Sequence, residues 1–110
     1  MNIQQLQTKR KELLDQIGAI ERMHKGRLSE EYRERMVDGR IHRTGPYFKH
    51  QQWEKGKNLS RRVKGDEAQR LREGIAEMDR FKHLCDDYAE TTVAMTEELE
   101  KQHESKKNSS

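Results

Sequence analysis

The side chains capable of chemistry are thinly spread. Five histidines (His24, His42, His50, His83 and His103) occur in 110 residues, and no two show the four-residue spacing beside a carboxylate that would aim two imidazoles at one zinc ion from a helix. His42 and His50 would meet only across a hairpin, and separate surface positions are the plainer reading. Cys85 is the single cysteine, which excludes an intramolecular disulfide and leaves a zinc site without paired thiolates. His83, two residues away, points to roughly the opposite side of a helix, so a packed, reduced thiol fits better than an activated nucleophile. Asp86-Asp87 and the Glu97, Glu98, Glu100 run are adjacent on a helical stretch and read as a solvated face. Neither a glycine-rich phosphate loop, nor a nucleophile elbow, nor a Ser/His/Asp pattern is present. The expectation is a non-enzymatic protein with no metal or other cofactor.

Charge is where the chain is specific. Eight cations (Arg40, Arg43, Lys49, Lys55, Lys57, Arg61, Arg62 and Lys64) stand against one acid, Glu54, between residues 40 and 64, a net +7. The remainder is net −4, although the whole chain carries only +3. A basic island in an otherwise acidic chain calls for an acidic partner, and phosphate is the obvious counter-charge.

The elements that position these residues follow from periodicity. With 30% hydrophobic and 39% charged residues, there is little material for a deep core, so long helices packing through narrow stripes, or an oligomer, must supply stability. Ile3, Leu6, Leu13, Ile17 and Ile20 recur at steps of three and four, with Arg10 and His24 breaking the series. This predicts one helix over residues 1–25, ending at Gly26. From residue 28 to 64 aromatic and β-branched residues thicken. Asp38-Gly39 is a hairpin turn, Gly45-Pro46 a second break, and Lys55-Gly56-Lys57 joins strands at 47–54 and 58–64. A weaker strand is expected within residues 32–43, and residues 28–31 fit either a strand or a helical turn capped by Ser29. Asp66 as N-cap with Gln69 in a capping box predicts a second helix from Glu67 to residue 102. Its apolar stripe from Ala68 to Leu99 is long enough to suggest helix pairing or a homodimer. Residues 103–110 are expected to be a disordered tail. The predicted fold is α+β: helix, small antiparallel sheet, long helix, in a single domain over residues 1–102.

Strand alternation then separates two faces. Tyr47, Lys49, Gln51 and Trp53 share one side of their strand, and Phe48, His50 and Gln52 the other. On the next strand Leu59, Arg61 and Val63 alternate with Ser60, Arg62 and Lys64, so Leu59 and Val63 pack while the opposite side presents hydroxyl and cations. Arg40, Arg43, Lys49, Lys57, Arg61, Arg62 and Lys64 are the candidate phosphate contacts, and Tyr47, Gln51 and Trp53 the candidates for base contact or stacking. Solvated edge lysines and core aromatics are the bland alternative.

Several of these segments also resemble a known family. Leu28-Ser29-Glu30-Glu31-Tyr32, Gly45-Pro46-Tyr47-Phe48 and Gly56-Lys57-Asn58-Leu59-Ser60-Arg61-Arg62-Val63, followed by Glu67-Ala68, are similar to a small prokaryotic domain family of unknown function, over roughly residues 10–90. Its members have a leading helix, a Gly-Pro-Tyr strand and a Gly-Lys-x-x-Ser-Arg-Arg strand, and often lie beside transposases and other mobile-element genes. The resemblance implies work on nucleic acid. Many members carry a cysteine cluster just before Gly-Pro-Tyr, suggestive of a metal knuckle; here that stretch reads Met36-Val37-Asp38-Gly39-Arg40-Ile41, without thiolates. A looser likeness, from Tyr47 to about Leu71, is to the three-stranded arm-binding module of tyrosine recombinases.

The expected function is therefore that of a nucleic-acid-binding accessory protein, for DNA or RNA, of a mobile element or phage. The alternative is a protein-interaction module, an inhibitor or adaptor acting through Asp86, Asp87, Glu90, Glu97 and Glu98 of the second helix. No apolar run approaches a membrane span and no basic start precedes a short apolar segment, so a soluble, cytoplasmic protein is expected.

Overall fold

A computed structural model describes residues 1–108, with side chains through Ser105. Five elements follow in order: α1 (Ile3–Ala19), β1 (Arg27–Val37), β2 (Arg40–Glu54), β3 (Lys57–Val63) and α2 (Gly65–Asn108). The strands form one antiparallel sheet in the order β1-β2-β3. The α+β architecture expected from the sequence is thus the observed one. No helix among the described residues is long and apolar enough to cross a membrane.

The chain forms two compact units, one of residues 22–78 and one joining residues 1–21 to the chain from Asp79 onward; α2 contributes to both. In the first, the sheet lays one face on the start of α2. Val63, Ala68 and Leu71 are its buried core, with Leu28, Phe48 and Ile75 packed against them. Burying three aliphatic side chains contributes about 1.5–3 kcal/mol for each large one, so this is a shallow core. Two ties reinforce it at the surface: Arg72 donates to Glu30 at 2.8 Å, and its guanidinium lies 5.7 Å from the Phe48 ring centre.

The hairpin turns are local. Asp38-Gly39 and Lys55-Gly56 both have positive φ at each central residue (51° and 73°; 50° and 77°), as the right-handed twist of two-residue hairpins demands. Gly45-Pro46 is not a break between elements but a bulge within β2. Glu31 pairs with Tyr47 and Arg33 with Thr44, so Gly45 and Pro46 together face Tyr32. Only glycine fits there: its φ is 135°, and a Cβ would stand 2.9 Å from the Glu31 carbonyl oxygen and 3.0 Å from the Tyr32 ring. Proline, lacking an N–H, forgoes no ladder bond at a bulge.

In the second unit, α1 opens with a capping box. The Asn2 side chain accepts from Gln5 N–H at 2.8 Å, and the Gln5 side chain accepts from Asn2 N–H at 3.0 Å. Leu6, Leu13, Leu84 and Thr91 are the buried positions. Arg10, one of the residues that interrupts the apolar series, lies in the seam. Its guanidinium sits 4.9 Å from the Tyr88 ring centre, donates to Tyr88 Oη at 2.7 Å and approaches Met95 Sδ at 3.7 Å. The phenol and thioether thus engage the two terminal nitrogens, while Nε is buried without a hydrogen-bond partner.

Three boundaries differ from expectation. Helix α1 ends at Ala19, not residue 25, with Ile20 extended and its N–H bonded to the Ile17 carbonyl. Residues beyond it are engaged elsewhere: His24 N–H donates to the Gly74 carbonyl at 3.0 Å, in the first quarter of α2, and Gly26, expected as a helix cap, leads into β1. Helix α2 begins at Gly65, with Ala68 N–H bonded to the Lys64 carbonyl at 2.7 Å. Asp66 therefore sits within the first turn instead of capping it, and Gln69 bonds Glu73 and Arg72 along the helix. Finally, α2 continues to Asn108, through most of the expected tail; Ser109 and Ser110 lie outside the described residues.

Gly74 is buried where His24 lands on α2, and any Cβ added to it would collide with the His24 imidazole. Alanine is the better helix former by about 1 kcal/mol, yet Gly74→Ala is expected to destabilise the protein. In a His24→Gly background, which also removes the His24 Cβ 3.0 Å from that position, the same change should stabilise it. Urea unfolding of the four proteins reads this reversal, and additive effects would show the contact to be energetically idle.

Candidate nucleic-acid interface

The sheet has one covered and one open face, and strand alternation assigns each side chain to one of them. Leu28, Phe48, His50 and Val63 fall on the covered side. Tyr47, Lys49, Gln51 and Trp53 of β2 and Asn58, Ser60 and Arg62 of β3 fall on the open side, the partition expected from sequence. Register adds neighbours from β1. Ser29 pairs with Lys49, Arg27 with Gln51, and Glu31 with Tyr47, which brings Arg27, Arg33 and Arg35 onto the open face. These three cations lie outside the basic window of residues 40–64, and only their odd-numbered spacing along β1 signals them.

At the centre of this face Tyr47 receives a guanidinium from each flanking strand. Arg33 of β1 lies 5.1 Å and Arg62 of β3 lies 4.9 Å from its ring centre, and its hydroxyl donates to Thr44 Oγ1 at 3.3 Å. Lys49 stands directly opposite Arg62 in the β2–β3 register. Like charges facing each other across an antiparallel pair are destabilising, so this arrangement does not serve the stability of the free sheet. Among the described residues Glu31 is the one acid on the open face, and it forms no ion pair. A doubly charged or polyanionic ligand would relieve the repulsion. Because the Tyr47 ring is already engaged by two arginines, it supports cations more than it stacks on bases. Trp53, 74% exposed near the β2–β3 turn, is the aromatic left open for stacking. Gln51 pairs with Ser60 across the strands, placing an amide and a hydroxyl between the cations and Trp53.

Several expected contacts lie elsewhere. Arg61 is on the helix-facing side, where it donates to Glu67 at 2.5 Å. Lys57 shares that side at the hairpin turn. Arg43 is committed to the Tyr32 ring, 4.1 Å from its centre. Arg40 sits by the β1–β2 turn, opposite Val37, and Lys64 directly follows β3. The open face therefore gathers Lys49, Arg62, Gln51, Trp53 and Tyr47, with Arg40 at its far end, and leaves Arg43, Lys57 and Arg61 off it.

The histidines do not converge. His42 and His50 lie on the same strand, opposite Arg35 and Leu28, and His50 is buried with Nε2 2.8 Å from the Lys25 carbonyl. His24, His50, Gln52 and Leu59 border a cleft of about 540 Å³ on the covered side, closed by Arg61, Glu67, Arg70 and Leu71. No group of three metal-ligating side chains occurs among the described residues. The acids of the alternative reading, Asp86, Asp87, Glu90 and Glu97, are exposed on α2, while Glu98 is tied to Lys101 at 3.3 Å. Cys85 is a half-buried free thiol.

Comparison with protein-family models, with curated proteins and with solved structures returns no match for this chain.

The hydrogen bond from Arg61 holds the Glu67 carboxyl below its ordinary value. A carboxyl depressed in the folded state contributes stability above its unfolded pKa and loses it as pH falls through the folded one. Between about pH 5 and pH 3, the native protein is expected to lose more stability than Glu67→Gln. Parallel acid titrations of the two melting temperatures would overturn this assignment if the curves run parallel.

Proposed function

We propose that this chain is a non-enzymatic nucleic-acid-binding accessory protein that docks the open face of its sheet on phosphates. The observation that carries this reading is the facing Lys49–Arg62 pair beside the Arg33–Tyr47–Arg62 cluster. Three cations converge there, none of them in an ion pair among the described residues, on a face that also carries an amide, hydroxyls, an exposed indole, further arginines and a single acid, Glu31. Arg33, Lys49 and Arg62 would hold the backbone, Gln51 and Ser60 would reach base edges, and Trp53 would stack. The reading favours B-form duplex DNA, because its major groove admits β-ribbons whereas the A-form major groove is too narrow for side chains to read. The family resemblance supports placement beside mobile-element genes.

Neutralising a phosphate releases counterions, so affinity should fall linearly on a log–log plot against salt. Replacing Lys49 and Arg62 together by Gln is expected to reduce the magnitude of that slope by about 2. Changing Asp86, Asp87 and Glu90 to Ser should leave binding to duplex DNA intact. Fluorescence anisotropy at several salt concentrations measures both. Undetectable binding to duplex and single-stranded nucleic acid at low salt would end the proposal. Loss of cellular activity on neutralising the α2 acids, with DNA affinity preserved, would instead favour the protein-interaction alternative.

Trp53 separates two modes on the same face. If it stacks on unpaired bases, Trp53→Ala should weaken single-strand binding by about 1–3 kcal/mol and change duplex binding far less. Equal losses on both substrates would remove its stacking role.

A further inference from the structure

Beyond the bulge, the two strands β1 and β2 continue as an arm that α2 does not cover. Every residue from Glu30 to Pro46 is exposed. At its end the two most exposed aliphatic side chains of the sheet, Met36 (74%) and Ile41 (66%), stand directly opposite each other in register and therefore share one face. Val37, 41% exposed, flanks the turn. Four arginines line the arm against two acids, Glu34 and Asp38: Arg43 shares the Met36–Ile41 face, and Arg33, Arg35 and Arg40 stand on the other. Its base is braced by Arg43 lying over Tyr32.

We infer that this arm is a wedge for the minor groove of duplex DNA, with Met36 and Ile41 entering a base step while the arginines sit along the groove. The inference rests on the nucleic-acid reading of the open face and adds a second point of contact to it. Three physical features lead there. From Arg33 to the turn the arm extends five residues, about 16 Å at strand rise, more than the roughly 7.5 Å depth of the minor groove. Methionine and isoleucine are among the side chains that unstack base steps from that groove, and narrow grooves attract arginine. A second copy of the chain is the poorer occupant: two or three side chains fall far short of the roughly 1,000 Å² of a specific protein interface.

The test uses the full chain and a duplex of about 30 base pairs carrying a donor and an acceptor at its ends. Wild-type protein is expected to shorten the end-to-end distance as it binds. The double variant Met36→Ser/Ile41→Ser, altered only at exposed positions and checked for native circular dichroism, should bind within about tenfold of wild type yet leave the duplex straight. Arg33→Glu/Arg62→Glu should fail to bind at all. A duplex that wild type binds but does not bend, or that the serine variant bends equally, overturns the wedge while leaving the open-face reading in place. A duplex that wild type does not bind overturns both. A wild-type dimer in solution that the serine variant converts to monomer assigns the tip to self-association and also overturns the wedge.

Discussion

Everything else in the sheet-bearing unit depends on how little apolar surface is available to cover a sheet. Val63, Ala68 and Leu71 form its buried centre, and Leu28, Phe48 and Ile75 border it. That set suffices for one face of three short strand segments and no more. Since strand side chains alternate strictly, committing Phe48 and Val63 to the helix commits Tyr47, Lys49 and Arg62 to water. The charged face is thus the geometric complement of the core. A slip of one residue in either register would expose core side chains and bury cations, so the small core and the charge distribution specify the same pairing.

The Lys49–Arg62 opposition and the Arg61–Glu67 pair illustrate two different uses of adjacent arginines. One residue apart on β3, Arg61 and Arg62 point to opposite faces. The first is neutralised by a carboxylate of α2 and helps to tie β3 to the helix that follows it. The second faces another cation and braces Tyr47. Composition assigns them the same role; only the pleat distinguishes them. Solvent screens an exposed ion pair such as Arg61–Glu67, so its main effect is to remove one arginine from the set available to a ligand.

What could be read from residues alone follows the range of the interaction. The Asp38-Gly39 and Lys55-Gly56 turns and the face partition of β2 and β3 all derive from signals within a few residues. The extent of β1 does not. Its Glu30, Glu31, Arg33, Glu34 and Arg35 favour helix by intrinsic propensity, and only pairing with β2 holds them extended. For that reason Arg27, Arg33 and Arg35 escape any window centred on the basic island. The early end of α1 is likewise set at a distance, by the bond from His24 N–H to the Gly74 carbonyl fifty residues on. Arg10 looks like a flaw in an apolar seam until Tyr88 and Met95 are seen beside it.

The bulge at Gly45 and Pro46 divides the sheet in a further sense. On its helix side residues 47–52 of β2 are half-buried or buried; on the far side the arm is a two-stranded ribbon wetted on both faces. Isolated ribbons of that kind are marginal in water, and local opening follows the absence of buried contacts. Amide protons near Met36 and Ile41 should therefore exchange with solvent through brief fraying of the arm, whereas those of Phe48 and Val63 wait for the whole unit to open. The molecule carries, on one continuous pair of strands, an end held by packing and an end held by its own ladder alone.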